Sequence, residues 1–331
     1  MDLLTQAVLG ATTAQVAARP HETRIAVITG ALAGLLPDAD ALIRSNADPL
    51  LVLEYHRHFT HSLVFIPFGA AIVATLVWLF CRYQINFKRI FLYALLGIAL
   101  SGILDACTSY GTHLLWPFSD TRISWGMIAI VDPVFTLLLL IPLILAVRRK
   151  QSHPARIGLA LAAGYMLIAG IQLHRATSMA TELIADRGHT AVRHLVKPTM
   201  ANILLWRSVY IHEGKIYADA VRTSLFSENR TYPGESAWLL IPEQLSSLPP
   251  DSRAAQDLQR FATFSDGWLA PDPAHPELIG DARYAMLPNS TTPLWGVLLD
   301  RGNLDKPLQF VTNRATNKEI REEFVNMLLG K

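Results

Sequence analysis

Cysteine is nearly absent. Only Cys81 and Cys107 occur in 331 residues, so no disulfide framework can hold this fold. Cys81 flanks an apolar run and Cys107 sits beside an acidic motif, and the two are not expected to pair. Charge is scarce as well: Asp, Glu, Lys and Arg make up 17% of the chain and leave a formal net charge of +2, where a quarter is usual. That scarcity excludes a disordered chain and a coiled coil. The near-neutral balance lacks the basic stripe of a dedicated nucleic-acid binder, so no nucleic-acid partner is expected. No basic segment precedes the first apolar run, which argues against a cleaved signal peptide, and no repeat or low-complexity tract stands out. What is present is apolar surface, with 51% hydrophobic residues and a mean hydropathy of +0.28. An ordinary soluble enzyme is less apolar and a chain wholly in lipid more so, so the average hides two different halves.

The first half carries the long apolar runs. Ser62 to Phe80 is uncharged over nineteen residues, enough to cross a hydrocarbon core about 30 Å thick. Ile90 to Leu104, Ile128 to Val147 and Ile157 to Leu173 follow, with Asp132 marking the true start of the third. Two earlier segments, Leu3 to Ala18 and Ile25 to Leu36, are more polar or shorter and read as a helix pair packed inside the bundle. The connections 19–24, 81–89 and 148–156 carry nine Lys and Arg, against only Arg44, Arg57 and Arg122 in 37–61 and 105–131. The positive-inside rule then places the first set in the cytoplasm and the second outside, with everything after about 175.

From Arg175 onward the pattern is that of a soluble domain. Ala201 to His212 and Lys215 to Leu225 are β-rich runs joined at Glu213-Gly214, a hairpin signal. Ala254 to Phe264 reads as an amphipathic helix, Leu278 to Met286 and Leu294 to Leu299 as short strands, and Asn317 to Leu329 as a closing helix. The expected fold class is mainly α: a polytopic transmembrane helix bundle over residues 1–174, with four long spans and two weaker N-terminal segments. A small α+β soluble domain follows over residues 175–331.

Chemistry is concentrated in the outer loops of the membrane half. Leu36-Pro37-Asp38-Ala39-Asp40 ends the second apolar segment. Tyr55-His56-Arg57-His58-Phe59-Thr60-His61-Ser62 precedes the nineteen-residue run. Asp105 closes the next span, and Asp132-Pro133 opens the one after. Four polar clusters thus fall at helix ends on one side of the bundle. Ionisable groups at such depths are costly and should be paired, solvated or bound to metal. Imidazole together with carboxylate suits a divalent metal, Zn in the first place with Mn or Fe as alternatives. A catalytic Zn site needs about three protein ligands and an open position. Asp38, Asp40, His56, His61 and Asp105 supply more than enough, and Arg57 offers a fork that matches phosphate.

Each cluster also has a plainer reading. The two aspartates can stop a helix through Asx turns, and the three histidines can form a solvated interfacial loop. Asp105 can pair with Arg57, and Asp132 is expected to cap the next helix. Thr60 and Ser62 are expected to cap the span that starts there, and His113 reads as a surface histidine.

Met1-Asp2-Leu3-Leu4-Thr5-Gln6, Leu36-Pro37-Asp38-Ala39-Asp40, His56-Arg57-x-x-Thr60-His61-Ser62 and Leu104-Asp105-x-x-Thr108-x-x-Gly111 resemble the YdjM-like "membrane-bound metal-dependent hydrolase" family of the bacterial inner membrane. The resemblance covers roughly residues 1–150, and the His-Arg-x-x-Thr-His-Ser element is its most specific part. It implies a multi-pass inner-membrane protein with a metal site at Asp38, Asp40, His56, His61 and Asp105. The family's distant similarity to zinc-dependent phospholipase C and P1-type nucleases implies phosphoester cleavage. Two departures stand out: many members carry histidine where this chain has Gln6 and Ser101, which implies a depleted site.

The expectation is therefore a membrane-embedded metal-dependent hydrolase working through metal-activated water. Its partners are the lipid bilayer and a phosphoester of a lipid or envelope component, with the C-terminal domain in the periplasm. Asp38 or Asp40 would position water or act as base, and Arg57 would neutralise developing negative charge. The alternative is a non-catalytic inner-membrane scaffold or assembly protein with a degenerate metal site. A transporter ranks last, because the ionisable groups lie at span ends.

Overall fold

The computed structural model describes residues 1–224, 228–245, 248–314 and 316–331. Leu225, the expected end of the second hairpin strand, lies outside the described residues. The chain forms two compact units. One comprises Met1–Ile43, Tyr55–Ile171 and Met200–Asn202; the other comprises Arg44–Glu54, Gln172–Thr199 and Ile203–Lys331.

The first unit is helical. Its order is α1 (Leu3–Val16), α2 (Thr23–Leu35), a 3-10 turn at Pro37–Leu42, the end of α3 (Leu51–Tyr55), a second 3-10 turn at Phe59–His61, α4 (Phe65–Cys81), α5 (Phe87–Ile98), α6 (Ser101–Ala106), α7 (Pro133–Arg149) and the first part of α8 (His153–Asp186). Asp2 starts α1 by accepting a hydrogen bond from the Thr5 amide at 3.0 Å. The polar residues that weaken α1 as a membrane segment are buried. Thr12 Oγ1 donates to the Val8 carbonyl at 2.7 Å and Thr13 Oγ1 to the Gly10 carbonyl at 2.9 Å, so their hydroxyls are satisfied within the helix. Backbone touches backbone where Gly10 of α1 meets Gly30 of α2. A Cβ on either would strike the other's carbonyl, and one on Gly97 of α5 would meet the Gly30 carbonyl at 2.7 Å. Small residues that bring helix backbones together are the usual packing device in membranes.

Among the described residues, two helices are long and apolar enough to cross a bilayer: Phe87–Ala106, in which α5 continues into α6, and α8. A third is obtained if Leu51–His61 and Phe65–Cys81 count as one span, although they meet at 87°. Of the four expected spans, Ile90 to Leu104 and Ile157 to Leu173 fall within these two helices. Ser62 to Phe80 loses its first residues to the turn at Phe59–His61, leaving α4 with 17 residues. Residues 128–132 are not helical; Asp132 caps α7 through the Phe135 amide at 3.0 Å and Pro133 opens it. The cap at Asp132 is as expected. Ser62 Oγ accepts from the Phe65 amide at 3.2 Å, whereas Thr60 caps nothing and donates to Asp40 instead.

The second unit is built on antiparallel sheets. β1 (Arg193–Pro198), β2 (Leu205–His212), β3 (Lys215–Arg222) and β4 (Arg230–Tyr232) pair in that order, and β5 (Ser236–Trp238) joins the free length of β3. The β2–β3 hairpin turns at Glu213 and Gly214, both at positive φ, with His212 opposite Lys215. A second sheet runs β6 (Leu269–Pro271), β7 (Leu278–Asp281), β8 (Trp295–Leu298) and β9 (Gln309–Thr312) in order. Val209, Ile211, Ile216, Trp268, Ala270 and Ala282 form a buried cluster drawn from both sheets. The helices α9 (Arg253–Phe264) and α10 (Lys318–Leu329) are capped by Ser252 and Asn317. The run from Leu278 is a strand only to Asp281.

Candidate metal centre

Asp40 organises the loop that carries the histidines. The 3-10 turn after Pro37 buries its carboxylate at 1% exposure, and both oxygens are engaged. Oδ1 meets His56 Nδ1 at 2.8 Å. Oδ2 accepts from the Arg57 amide and from Thr60 Oγ1, each at 2.8 Å, and lies 3.1 Å from His61 Nδ1. Arg57 presents that amide from a left-handed backbone, at φ 64°, which a non-glycine residue adopts only where its surroundings hold it. Burial alone would raise the Asp40 carboxyl. Hydrogen bonds and charge from His56 and His61 outweigh it and hold the group well below the usual carboxylate range.

With Nδ1 of His61 committed to Asp40, its Nε2 faces two other carboxylates. It lies 3.5 Å from Asp38 Oδ1 and 3.1 Å from Asp105 Oδ2. The contacts are close but poorly aligned, and Nε2 is buried without a hydrogen bond, as is Asp38 Oδ2. One donor atom from each of Asp38, His61 and Asp105 falls within 4.8 Å of the others. Asp38 comes from the turn after α2, His61 from the turn before α4 and Asp105 from α6. Gly102 makes that meeting possible, because a Cβ there would strike the His61 carbonyl.

Asp105 is held from behind. Arg57 Nη2 lies 3.0 Å from Oδ1, and Arg57 Nη1 donates to Thr108 Oγ1 at 2.7 Å. The Met1 nitrogen also contacts Asp105 Oδ1. Gln6 Nε2 donates to Asp105 Oδ2 at 2.8 Å and to the Ser101 carbonyl at 3.3 Å. Tyr110 lies under the Arg57 guanidinium at 5.0 Å and edge-on to His56 at 5.9 Å.

The residues fit a divalent cation. A buried imidazole nitrogen and a buried carboxylate oxygen lack hydrogen bonds at the point where two acids and a histidine converge. Three carboxylates approach His61, and one guanidinium, that of Arg57, pairs with Asp105 among them. A ligating histidine whose other nitrogen is held by a carboxylate is the usual supporting arrangement. Of the residues singled out from the sequence, Asp38, His61 and Asp105 form the trio. Asp40 stands behind His61, His56 pairs with Asp40 at the edge, and Arg57 pairs with Asp105. Thr60, Thr108 and Gln6 were not expected to hold the site. All three lie inside the quoted motifs; the spacing of Thr60 and Thr108 from Arg57 and Asp105, and glutamine standing at position 6 where relatives carry histidine, were the available signals.

The model of the "YdjM inner membrane protein" family matches residues 1–176. A segment is similar to the "Uncharacterized protein YfhP" of Bacillus subtilis (strain 168), with 31% identity over 116 residues, covering 35% of this chain and 34% of that protein. The chain thus spans about a third of the curated relative it matches. No solved structure matches. The family match covers the helical unit and every residue of the Asp-His-Asp trio, and the chain belongs to the YdjM inner membrane protein family.

Proposed function

We propose that the protein is a membrane-embedded metal-dependent hydrolase acting on a phosphoester of a lipid or envelope component. The observation that carries this reading is the convergence of Asp38, His61 and Asp105 around a buried imidazole nitrogen with no hydrogen bond. Those three residues would hold the ion. A divalent ion there supplies Lewis acidity towards a phosphoryl oxygen and an activated water. Asp40 fixes the His61 tautomer. Arg57, 2% exposed, steadies Asp105 and places positive charge beside the position a phosphate would take. Two carboxylates and one imidazole admit Mn or Fe as readily as Zn.

The test is metal analysis of the purified full chain, with hydrolysis of a phosphodiester lipid followed in parallel. His61→Ala is expected to lose the bound ion and the metal-dependent hydrolysis together. Metal content unchanged in His61→Ala would defeat the ligand assignment. A non-catalytic scaffold is the second reading. It is favoured by the contacts from Arg57 and Gln6, which already neutralise and hydrogen-bond Asp105. It predicts no hydrolysis with any added metal.

A further inference from the structure

A second group of unsatisfied nitrogens lies across the Arg57 backbone from the trio. His58 precedes the 3-10 turn at Phe59–His61, and His113 follows the loop after α6. The two segments are tied together next to both side chains, because the His113 amide donates to the Arg57 carbonyl at 3.0 Å. Their rings stand 4.6 Å apart between centroids, tilted by 48°. Trp116 and Tyr55 each lie 5.9 Å from the His58 ring, and Phe59 lies 6.3 Å away. Within this aromatic setting, Nδ1 of His58 and Nδ1 of His113 are both shielded from solvent with no hydrogen-bond partner. Neither atom belongs to the trio.

Unsatisfied buried polar atoms are uncommon in folded proteins, and a bound water or ion is one of the standard explanations. Two imidazoles carried on mutually bonded backbone segments, with ring centroids 4.6 Å apart, offer two unsatisfied nitrogen donors in one neighbourhood. Imidazole suits Zn, Cu and Ni and is a poor ligand for Mg or Ca. Asp120 is near enough to act on both rings with negative charge, while Arg122 acts on them in the opposite sense. The surroundings therefore favour an ion that binds through nitrogen over one held by charge alone.

We propose that His58 and His113 form a second metal-binding clip, separate from the Asp-His-Asp trio, that takes a borderline transition-metal cation of the Zn type. The clip does not depend on hydrolysis at the trio, and its test separates the two. Zn is titrated into the purified full chain in detergent. The expected result is about two equivalents for the unmodified chain, about one for His58→Ala/His113→Ala and about one for His61→Ala. Should the double variant fold poorly, labelling of the unmodified chain and of His61→Ala by diethyl pyrocarbonate, read by mass spectrometry, gives the second measurement. Saturating Zn should slow modification of His58 and His113 at least several-fold in both proteins. Unchanged Zn stoichiometry in the double variant, or equal labelling with and without Zn, overturns the proposal. Loss of one equivalent in His61→Ala speaks only to the trio.

Discussion

At the scale of single residues, Asp40 and Asp38 have different tasks although they stand two positions apart. Asp40 accepts from the loop and fixes His61, whereas Asp38 leaves a buried oxygen without a hydrogen bond. Asp40→Asn should therefore weaken Zn binding about 10–100-fold, the usual effect of removing the group behind a ligating histidine. A Zn titration checks this, and wild-type affinity in Asp40→Asn would contradict it. The sequence singled out both acids as candidates, because they share a short motif beside helix ends. It could not show which one joins His61 Nε2 and Asp105 and which one braces the loop, since that depends on the turn after Pro37 and on a left-handed Arg57. Histidines elsewhere carry a pH dependence, His113 and His194 among them. Burial, with Arg122 adding to it, pushes the His113 imidazole down to about 4, and burial lowers His194 as well. Each folded imidazole then binds fewer protons than its unfolded form, whose pKa is about 6.5. Stability is complete above that value and falls as the pH drops below it. In the presence of a chelator, the melting temperature should fall between pH 7 and pH 5, and fall less in His113→Gln. Identical slopes for the two proteins would show that His113 does not contribute.

At the scale of elements, close helix approach is the feature most open to test. Replacing Gly10 with valine forces a side chain into the Gly30 carbonyl, and overpacking of this kind costs about 1–3 kcal/mol or more. Gly102→Val should do the same and also displace the His61 turn, so metal affinity should fall together with stability. Thermal unfolding in detergent alongside Zn titration separates them: Gly10→Val should lose stability with a smaller change in affinity. Removing the α7 cap in Asp132→Ala should cost about 1 kcal/mol from the lost backbone bond. Loss of the Tyr165 hydroxyl contact to Asp132, at 2.7 Å, adds to that. That cap was legible, because Asp-Pro ahead of an apolar run is a local signal. The hairpin at Glu213-Gly214 and the helices α9 and α10 were legible for the same reason. The short strands β4, β5 and β6 were not, since three residues cannot display an alternating pattern. Nor was the placement of Asp48 and Glu54 against Arg260, at 2.9 and 2.6 Å, because it joins positions about two hundred residues apart.

At the scale of the whole molecule, the sequence distinguished a helical unit from a sheet-rich one through a change of composition near residue 175. Two of the four expected spans fall in helices long and apolar enough to cross, and the other two are shortened, because apolar runs do not reveal where a turn or a cap cuts into them. For topology, the charge pattern of the loops makes a definite prediction. In a set of single-cysteine variants built on Cys81→Ser/Cys107→Ser, positions in the sheet unit should react with a membrane-impermeant maleimide in intact spheroplasts. Positions in 81–89 and 148–156 should react only after lysis, and the reverse pattern would invert the orientation. The glycine contacts set one mechanical property of the helical unit. Gly30 and Gly34 lie one turn apart on α2, and both are pressed against α1. Axial creep of α1 along α2 by less than a full turn would drive side chains into carbonyls. A thinner bilayer should then make these two helices lean together as one body, so that Asp38, in the turn after α2, changes depth together with α1.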